Sequence, residues 1–370
     1  MNNKKKKVLF VATVDSHIEL FHLPYLKMFK DKGYEVHVAT NTDKKIQYCD
    51  KKHKISIERN PFKLNNLKAI RELKKNVNAE KFDIIHCHTP MGGVVARLAA
   101  KKARKHGTRM IYTAHGFHFF KGAPLKNWLL FYPVEKYLAK YTDTLITINT
   151  EDFERAKKKF GKRCKDIHMI DGIGVDFSRF DKKMSNLERK KKRAELGIKN
   201  TDFVIIYAAE VSKRKRQIWL LDRLKNYLKS NKTVHVILVG KDSLSGLCHE
   251  YVKMNGLGDQ VHILGFRKDI VELYKISDMS ISAASQEGLG LNMVEALYCG
   301  LPVIMSDNRG HREISAQKIE GIVLLDDNFR KESVKFIEKI RNNANKQYAS
   351  DVRRFALENV VKEMEAIYEH

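Results

Sequence analysis

The strongest constraint on the fold of this chain is a rhythm. Short, nearly continuous apolar runs rich in β-branched residues alternate with longer amphipathic stretches, and the pattern occurs twice. In the first half the runs are Val8–Thr13, Val36–Thr40, Asp83–His88, Met110–His115, Thr144–Asn149 and Ile167–Asp171. Helical periodicity fills the gaps at Ile18–Lys32, Asn65–Asn78, Met91–His106, Lys126–Lys140 and Thr150–Phe160. The second half repeats this with strands at Phe203–Glu210, Val234–Gly240, Val261–Gly265, Met279–Ala283, Pro302–Ser306 and Gly321–Leu325. Strands with so little polar alternation are covered on both faces, which predicts parallel sheets in two doubly wound α/β domains. A polar, charge-rich stretch over 177–192 lacks apolar periodicity, so the domains are predicted at 1–178 and 179–351. The amphipathic segment 352–370 is expected to pack back on the first domain.

Composition narrows the function. Five cysteines, odd in number and never spaced as CxxC, exclude a disulfide framework and a cysteine zinc cage and fit a reducing cytoplasm. No apolar stretch approaches the roughly 18 residues of a spanning helix, and the start lacks the apolar region of a signal peptide. Residues 1–180 carry 37 Lys and Arg against 18 Asp and Glu, whereas residues 181–370 carry 33 against 26. Such a basic half is either a solvated lysine-rich surface or a face for anions such as phospholipid headgroups or lipid-linked pyrophosphate. Nucleic acid is not expected, because no helix-turn-helix, zinc-finger spacing or aromatic-interleaved basic strand is present.

The most informative segment is SAASQEGLGLNMVEALYCGLPVIMS, Ser282 to Ser306. An apolar strand ends near Ala284, Gln286 and Glu287 form a polar turn, and Gly288 and Gly290 permit close backbone approach before a helix begins. A glycine-opened helix N-terminus exposes unpaired N–H groups and the positive end of the dipole, which suits phosphate. Glu287 in the loop and Glu295 about a turn inside the helix could accept hydrogen bonds from sugar diols. Taken singly, each of these residues reads as an ordinary strand–helix turn or a solvated loop acid.

This segment resembles the E-x7-E signature of glycosyltransferase family 4, retaining enzymes of the GT-B fold, with Glu287 and Glu295 as its two glutamates. VHILGFRKDIVELYKISDMSISAA, with Gly265, Phe266 and Arg267 after its strand, is similar to the family's nucleotide-binding strand and helix. DGIGVDFSRF resembles its interdomain element, and TAHGFHFFKGAP and HIELFHLPYLKMFKDKGYEVHVAT resemble the subset that builds exopolysaccharide and capsule repeat units. The resemblance implies two Rossmann-like domains facing a central cleft. The first would bind the acceptor and the second the nucleotide-sugar donor.

Carried over position by position, the resemblance implies donor-sugar contacts from Glu287, ribose contacts from Glu295, and backbone N–H groups from Gly290, Leu291 and Asn292 toward the diphosphate. Lys215 matches the family's phosphate-gripping lysine. Glu210 stands in the family's arginine position, and Arg214 is the candidate to take that arginine's place. His115, at a strand end, corresponds to a histidine near the donor sugar, through its side chain or its main-chain carbonyl. The family's glycine-rich loop after the first strand is replaced by TVDSHIE, so Asp15, Ser16 and His17 become acceptor candidates, with His22 and His118 in a similar position. His86 and His88 could suggest a metal with His115, but an HCH alternation in a buried strand fits packing, and no metal or other cofactor is expected.

The implied reaction moves a hexose from a UDP-sugar to a polyprenyl-diphosphate-linked oligosaccharide at the inner face of the cell membrane. Peripheral attachment to an anionic surface is expected through helices such as Asn65–Asn78 and Met91–His106. The alternatives are a nucleotide-sugar epimerase and a glycosyltransferase-like partner subunit that has lost its chemistry.

Overall fold

The twofold alternation becomes two parallel sheets. The structure is a computed structural model and describes residues 5–164, 166–316, 321–326, 329–343, 348 and 351–370. The first sheet contains β1 (Lys7–Val11), β2 (Glu35–Thr40), β3 (Lys51–Lys54), β4 (Ile84–His88), β5 (Arg109–Ala114), β6 (Thr144–Thr147) and β7 (Asp166–Met169), in the order β3-β2-β1-β4-β5-β6-β7. The second contains β8 (Phe203–Ala208), β9 (Val234–Val239), β10 (Val261–Ile263), β11 (Met279–Ser282), β12 (Val303–Ser306) and β13 (Ile322–Leu325), in the order β10-β9-β8-β11-β12-β13. Each order reverses once, between β1 and β4 and between β8 and β11. At such a reversal the connecting helices leave on opposite faces of the sheet, and the strand-end loops part to form a crevice.

The chain divides into one unit of Met1–Gly174 with Val360–His370 and a second of Val175–Asn359. The crossing lies at Gly174 rather than at residue 178 because Val175 already bridges to Ala356 and Phe177 stacks on Tyr298 at 4.1 Å, all within the second unit. The final helix, Leu357–Glu369, begins in the second unit and ends in the first.

Two long helices expected in the first unit are interrupted. Ile18–Lys32 is two helices, Asp15–Phe21 and Leu23–Asp31, with His22 between them at φ −122° and ψ −2°. Pro24 is the cause. It has no N–H to continue the ladder, and it disfavours helical geometry before it. Met91–His106 divides at Ala100 into Pro90–Ala99 and Lys101–Lys105. Pro90–Ala99 is a core helix: Met91, Val95, Ala96, Arg97 and Ala99 are buried. A Cβ at Gly93 would lie 2.6 Å from the Tyr112 ring, so glycine is what lets this helix lie against the sheet. Arg97 is held there by Glu135 at 2.9 Å and by the Tyr112 ring at 4.0 Å. The Pro90–Ala99 part of the segment expected to touch a membrane is therefore unavailable, whereas no residue of Lys101–Lys105 is buried.

The end of the chain completes the first core. Val360, Met364, Ile367 and Tyr368 are buried, and the Tyr368 ring meets Phe29 edge-on at 4.7 Å. Its hydroxyl bonds His86 Nδ1 at 2.6 Å, while His86 Nε2 bonds Thr113 Oγ1 at 2.8 Å. Lys32 adds ion pairs to Glu365 and Glu369. Tyr368→Phe leaves a buried imidazole nitrogen without a partner, which costs about 1–3 kcal/mol. Urea denaturation should show that loss, whereas Glu369→Gln at the exposed end should leave the midpoint nearly unchanged.

Candidate active site

In the second unit the switch point is lined by the loop after β8, the loop after β11 and the helix Leu291–Tyr298. The loops are stitched together: Ser285 N–H donates to the Arg214 carbonyl at 2.9 Å, and Arg216 Nε donates to the Ala283 carbonyl at 2.7 Å. From β12, Ser306 Oγ and Asn308 Nδ2 both reach the Ala284 carbonyl. The turn is thus fixed from both neighbouring strands.

Gly290 has φ +101°, and a Cβ there would come within 3.0 Å of the His311 ring. No side chain caps the helix that follows, and of its first-turn N–H groups that of Met293 turns back to the Gly290 carbonyl at 2.9 Å. Asn292 Nδ2 beside them is buried and unpartnered. Glu287 lies before this turn and is buried. Its carboxylate contacts Lys215 Nζ and accepts from Arg214 Nη1 at 3.2 Å. Burial pushes its carboxyl upward, but Lys215, His311 and Arg214 outweigh this and hold it below the ordinary carboxylate range. Glu295 is the opposite case. The Tyr274 hydroxyl reaches both its carboxylate at 3.2 Å and the Asn292 carbonyl at 3.1 Å, yet burial dominates and raises Glu295. Two carboxylates on one turn are thus tuned apart.

Three further residues support this turn and were not singled out from the sequence. Asn308 caps the helix Arg309–Ser315, Arg309 Nε donates to the Glu287 carbonyl at 3.4 Å, and His311 Nδ1 contacts the Ser306 carbonyl at 2.7 Å. His311 is fully buried, which lowers it to about 4, and its Nε2 is unpartnered. The asparagine ahead of a new helix was the available sequence signal.

The first unit carries a cluster of its own. His17, His22, His88 and His115 meet at the carboxyl ends of β1, β4 and β5, with one nitrogen from each lying within 4.8 Å of the others. Burial lowers His17 to about 4 and drives the other three well below their usual value, so all four are neutral near pH 7. Beside them, a cavity of about 180 Å³ is lined by His17, Thr89, His115, His118, Phe131 and Glu135, among others.

The Glycosyl transferases group 1 family matches residues 188–353, and the Glycosyl transferase 4-like family matches residues 7–149. EpsD of Bacillus subtilis, named as a glycosyltransferase, is 45% identical over 321 residues, covering 86% of this chain and 83% of EpsD. The chain is a group 1 glycosyltransferase. It is also 28% identical over 269 residues to the Escherichia coli UDP-Gal:alpha-D-GlcNAc-diphosphoundecaprenol alpha-1,3-galactosyltransferase, covering 72% of this chain and 68% of that one. HepE of Anabaena, crystallised with UDP and glucose, superposes with a TM-score of 0.75 at 22% identity over 98% of this chain and 99% of HepE. A Thermosynechococcus elongatus sucrose-phosphate synthase gives 0.78 at 15% identity over 99% and 98%. The two Rossmann-type units are those of the GT-B fold.

In this glycosyltransferase the residues singled out from the sequence fall into separate groups. Lys215, Arg214 and Glu287 come together, and Gly290, Leu291, Asn292 and Glu295 line the adjoining helix start. Gly265, at φ +62°, follows β10, and its carbonyl accepts from Gly240 N–H at 2.9 Å. Phe266 is 74% exposed, and Arg267 forms a two-pronged pair with Asp269. Glu210, in the family's arginine position, accepts from Ser243. In the first unit His17 and His115 meet, Ser16 is exposed, and the His118 ring lies 4.6 Å from Phe131. Asp15 turns inward to Thr40, Thr42 and Lys52, so its carboxylate is already engaged.

Lys215→Ala leaves Glu287 buried with only the half-exposed Arg214 as an ion-pair partner. The expected cost is about 3 kcal/mol by urea denaturation, against less than about 1 kcal/mol for Arg214→Ala. The pH dependence should also weaken. The depressed wild-type carboxyl contributes stability that is present above the ordinary carboxylate range and lost as pH falls. With Lys215 gone only Arg214 and His311 oppose burial, so the carboxyl moves upward and Lys215→Ala should lose less stability than the wild type as pH falls.

Proposed function

We propose that this glycosyltransferase moves a sugar from a UDP-sugar to a polyprenyl-diphosphate-linked saccharide, with retention at the anomeric carbon. The observation that carries this reading is the uncapped helix start at Gly290, set between Glu287 with its two cations and Glu295 with Tyr274. A diphosphate suits that helix start: N–H groups and the dipole favour its charge, and Lys215 and Arg214 stand beside it. Glu295 is assigned to the ribose diol and Glu287 to donor-sugar hydroxyls. The imidazole of His115 is turned toward His17 and His88 within the first unit. The UDP-galactose donor and diphosphoundecaprenol acceptor in the name of the Escherichia coli relative support this choice of substrates.

The transfer proceeds by attack of an acceptor hydroxyl on the face from which the diphosphate departs. The anomeric carbon–oxygen bond to phosphorus breaks, a bond to the acceptor oxygen forms, and the acceptor proton passes to a diphosphate oxygen. Negative charge grows on the diphosphate as the bond breaks, so donors already fixed around it lower the barrier. No metal is assigned to this step.

The membrane is the proposed site of encounter. No helix among the described residues is long and apolar enough to cross it. The helix Leu125–Leu138 exposes Leu125, Leu129, Leu130, Val134 and Tyr137 next to Lys126, Lys136 and Lys140. Each basic residue near an anionic leaflet contributes roughly 1 kcal/mol, and the leucines supply apolar area for the interface.

UDP release from a panel of UDP-sugars, measured with and without a polyprenyl-diphosphate acceptor, tests the reading. Release that depends on the acceptor supports it. Epimerised donor without acceptor, or no turnover with any donor, rejects it. Glu295→Ala should raise KM for the donor about tenfold or more with a smaller change in kcat, whereas Lys215→Ala should mainly lower kcat. On vesicles containing phosphatidylserine, Leu125→Ser with Leu129→Ser should weaken partitioning about tenfold, and high salt should release the wild type. Unchanged partitioning in both cases would remove the membrane from the scheme.

A further inference from the structure

We propose that His17, His22, His88 and His115 form a binding site for one divalent transition-metal ion of the zinc type at the switch point of the first sheet. The site does not depend on the donor assignment, which concerns the second unit.

Several ring nitrogens of this cluster lack suitable partners. His17 Nε2 and His115 Nε2 lie 3.3 Å apart, and His115 Nε2 and His88 Nδ1 lie 3.4 Å apart. These separations are long for N–H···N hydrogen bonds, and a single nitrogen of His115 is asked to serve both neighbours. His22 is 2% exposed with neither ring nitrogen partnered, and wholly buried His88 turns its Nδ1 to His115. Buried polar atoms are nearly always satisfied, so a group of this kind calls for an explanation. Nitrogens about 2.0–2.1 Å from a tetrahedral ion stand about 3.3–3.4 Å from one another, which matches the two separations observed. The neutral imidazoles produced by burial are the form that binds metal.

The contrast with a second group sharpens the case. His37, His53 and Glu80 also lie within ligand reach of one another. There, however, His37 bonds both His53 at 2.8 Å and Glu35 at 2.7 Å, and Glu80 is paired with Lys7 and Lys51. Those groups are satisfied by protein alone. An HCH alternation in a buried strand fits packing for both of its histidines. His86 does pack, against Tyr368 and Thr113. His88 instead turns to His115.

The four ligands come from four places: the first helical turn after β1, the break at His22, the end of β4 and the end of β5. An ion there ties these segments into one rigid floor beside the cavity. Four protein ligands describe a closed, structural site rather than one with an open position.

The test uses the whole chain, free of any affinity tag, stripped with a chelator and dialysed against zinc. The expected result is one ion per chain, with X-ray absorption of the zinc-loaded wild type reporting three or four imidazoles. His88→Ala and His22→Ala should each weaken retention by more than about tenfold, and His53→Ala should leave it unchanged. Absence of retained zinc, two or fewer imidazoles, or loss of the ion in His53→Ala but not in His88→Ala would overturn the proposal. If the variants fail to fold, the wild-type stoichiometry and imidazole count decide alone.

Discussion

The constraint beneath everything else is the single reversal of strand order in each parallel sheet. A parallel strand can be joined to its neighbour only by a crossover, and the crossovers on the two sides of a reversal leave on opposite faces. The carboxyl ends of two adjacent strands are therefore left uncovered together. In the second sheet those strands are β8 and β11, and their loops bring Lys215 to Glu287. In the first they are β1 and β4, and their ends bring His17 to His88. Residues 72 or 71 positions apart in the chain become neighbours because of strand order.

Electrostatics then distinguishes the two carboxylates of the second unit. Glu287 is driven toward the anion by nearby cations and Glu295 toward the neutral acid by desolvation, although both belong to one turn and its helix. A cation pair committed to Glu287 also explains how Lys215 and Arg214 can sit close together in a crevice without dispersing one another. The neighbouring helix Arg309–Ser315 presses on this turn so closely that a Cβ at Gly310 would meet Leu289 at 2.7 Å. Side chains from three successive strand ends thus hold one short piece of backbone in place.

Much of this was legible in the chain, for definite reasons. Buried parallel strands such as β8 and β12 are almost wholly apolar, and the glycines before Leu291 announce a helix opened by close backbone approach. What was not legible has physical causes too. β3 reads KKHK, a charged edge strand that resists further pairing and carries no apolar signal. The break at His22 could have been taken from Pro24. The four histidines could be grouped only in part: His88 and His115 end predicted strands, but their meeting with His17 and His22 depends on the adjacency of β1, β4 and β5. The partner of Glu210, Ser243, was likewise invisible, because it follows a different strand.

The return of the last eleven residues to the first unit bears on how the protein is made. Tyr368 fills a position against His86 and Phe29, so the amino-terminal core lacks a wall until the carboxyl-terminal segment has left the ribosome. Vectorial synthesis would otherwise let the first half settle early. Here its core stays incomplete until residues 360–370 have followed the second unit out.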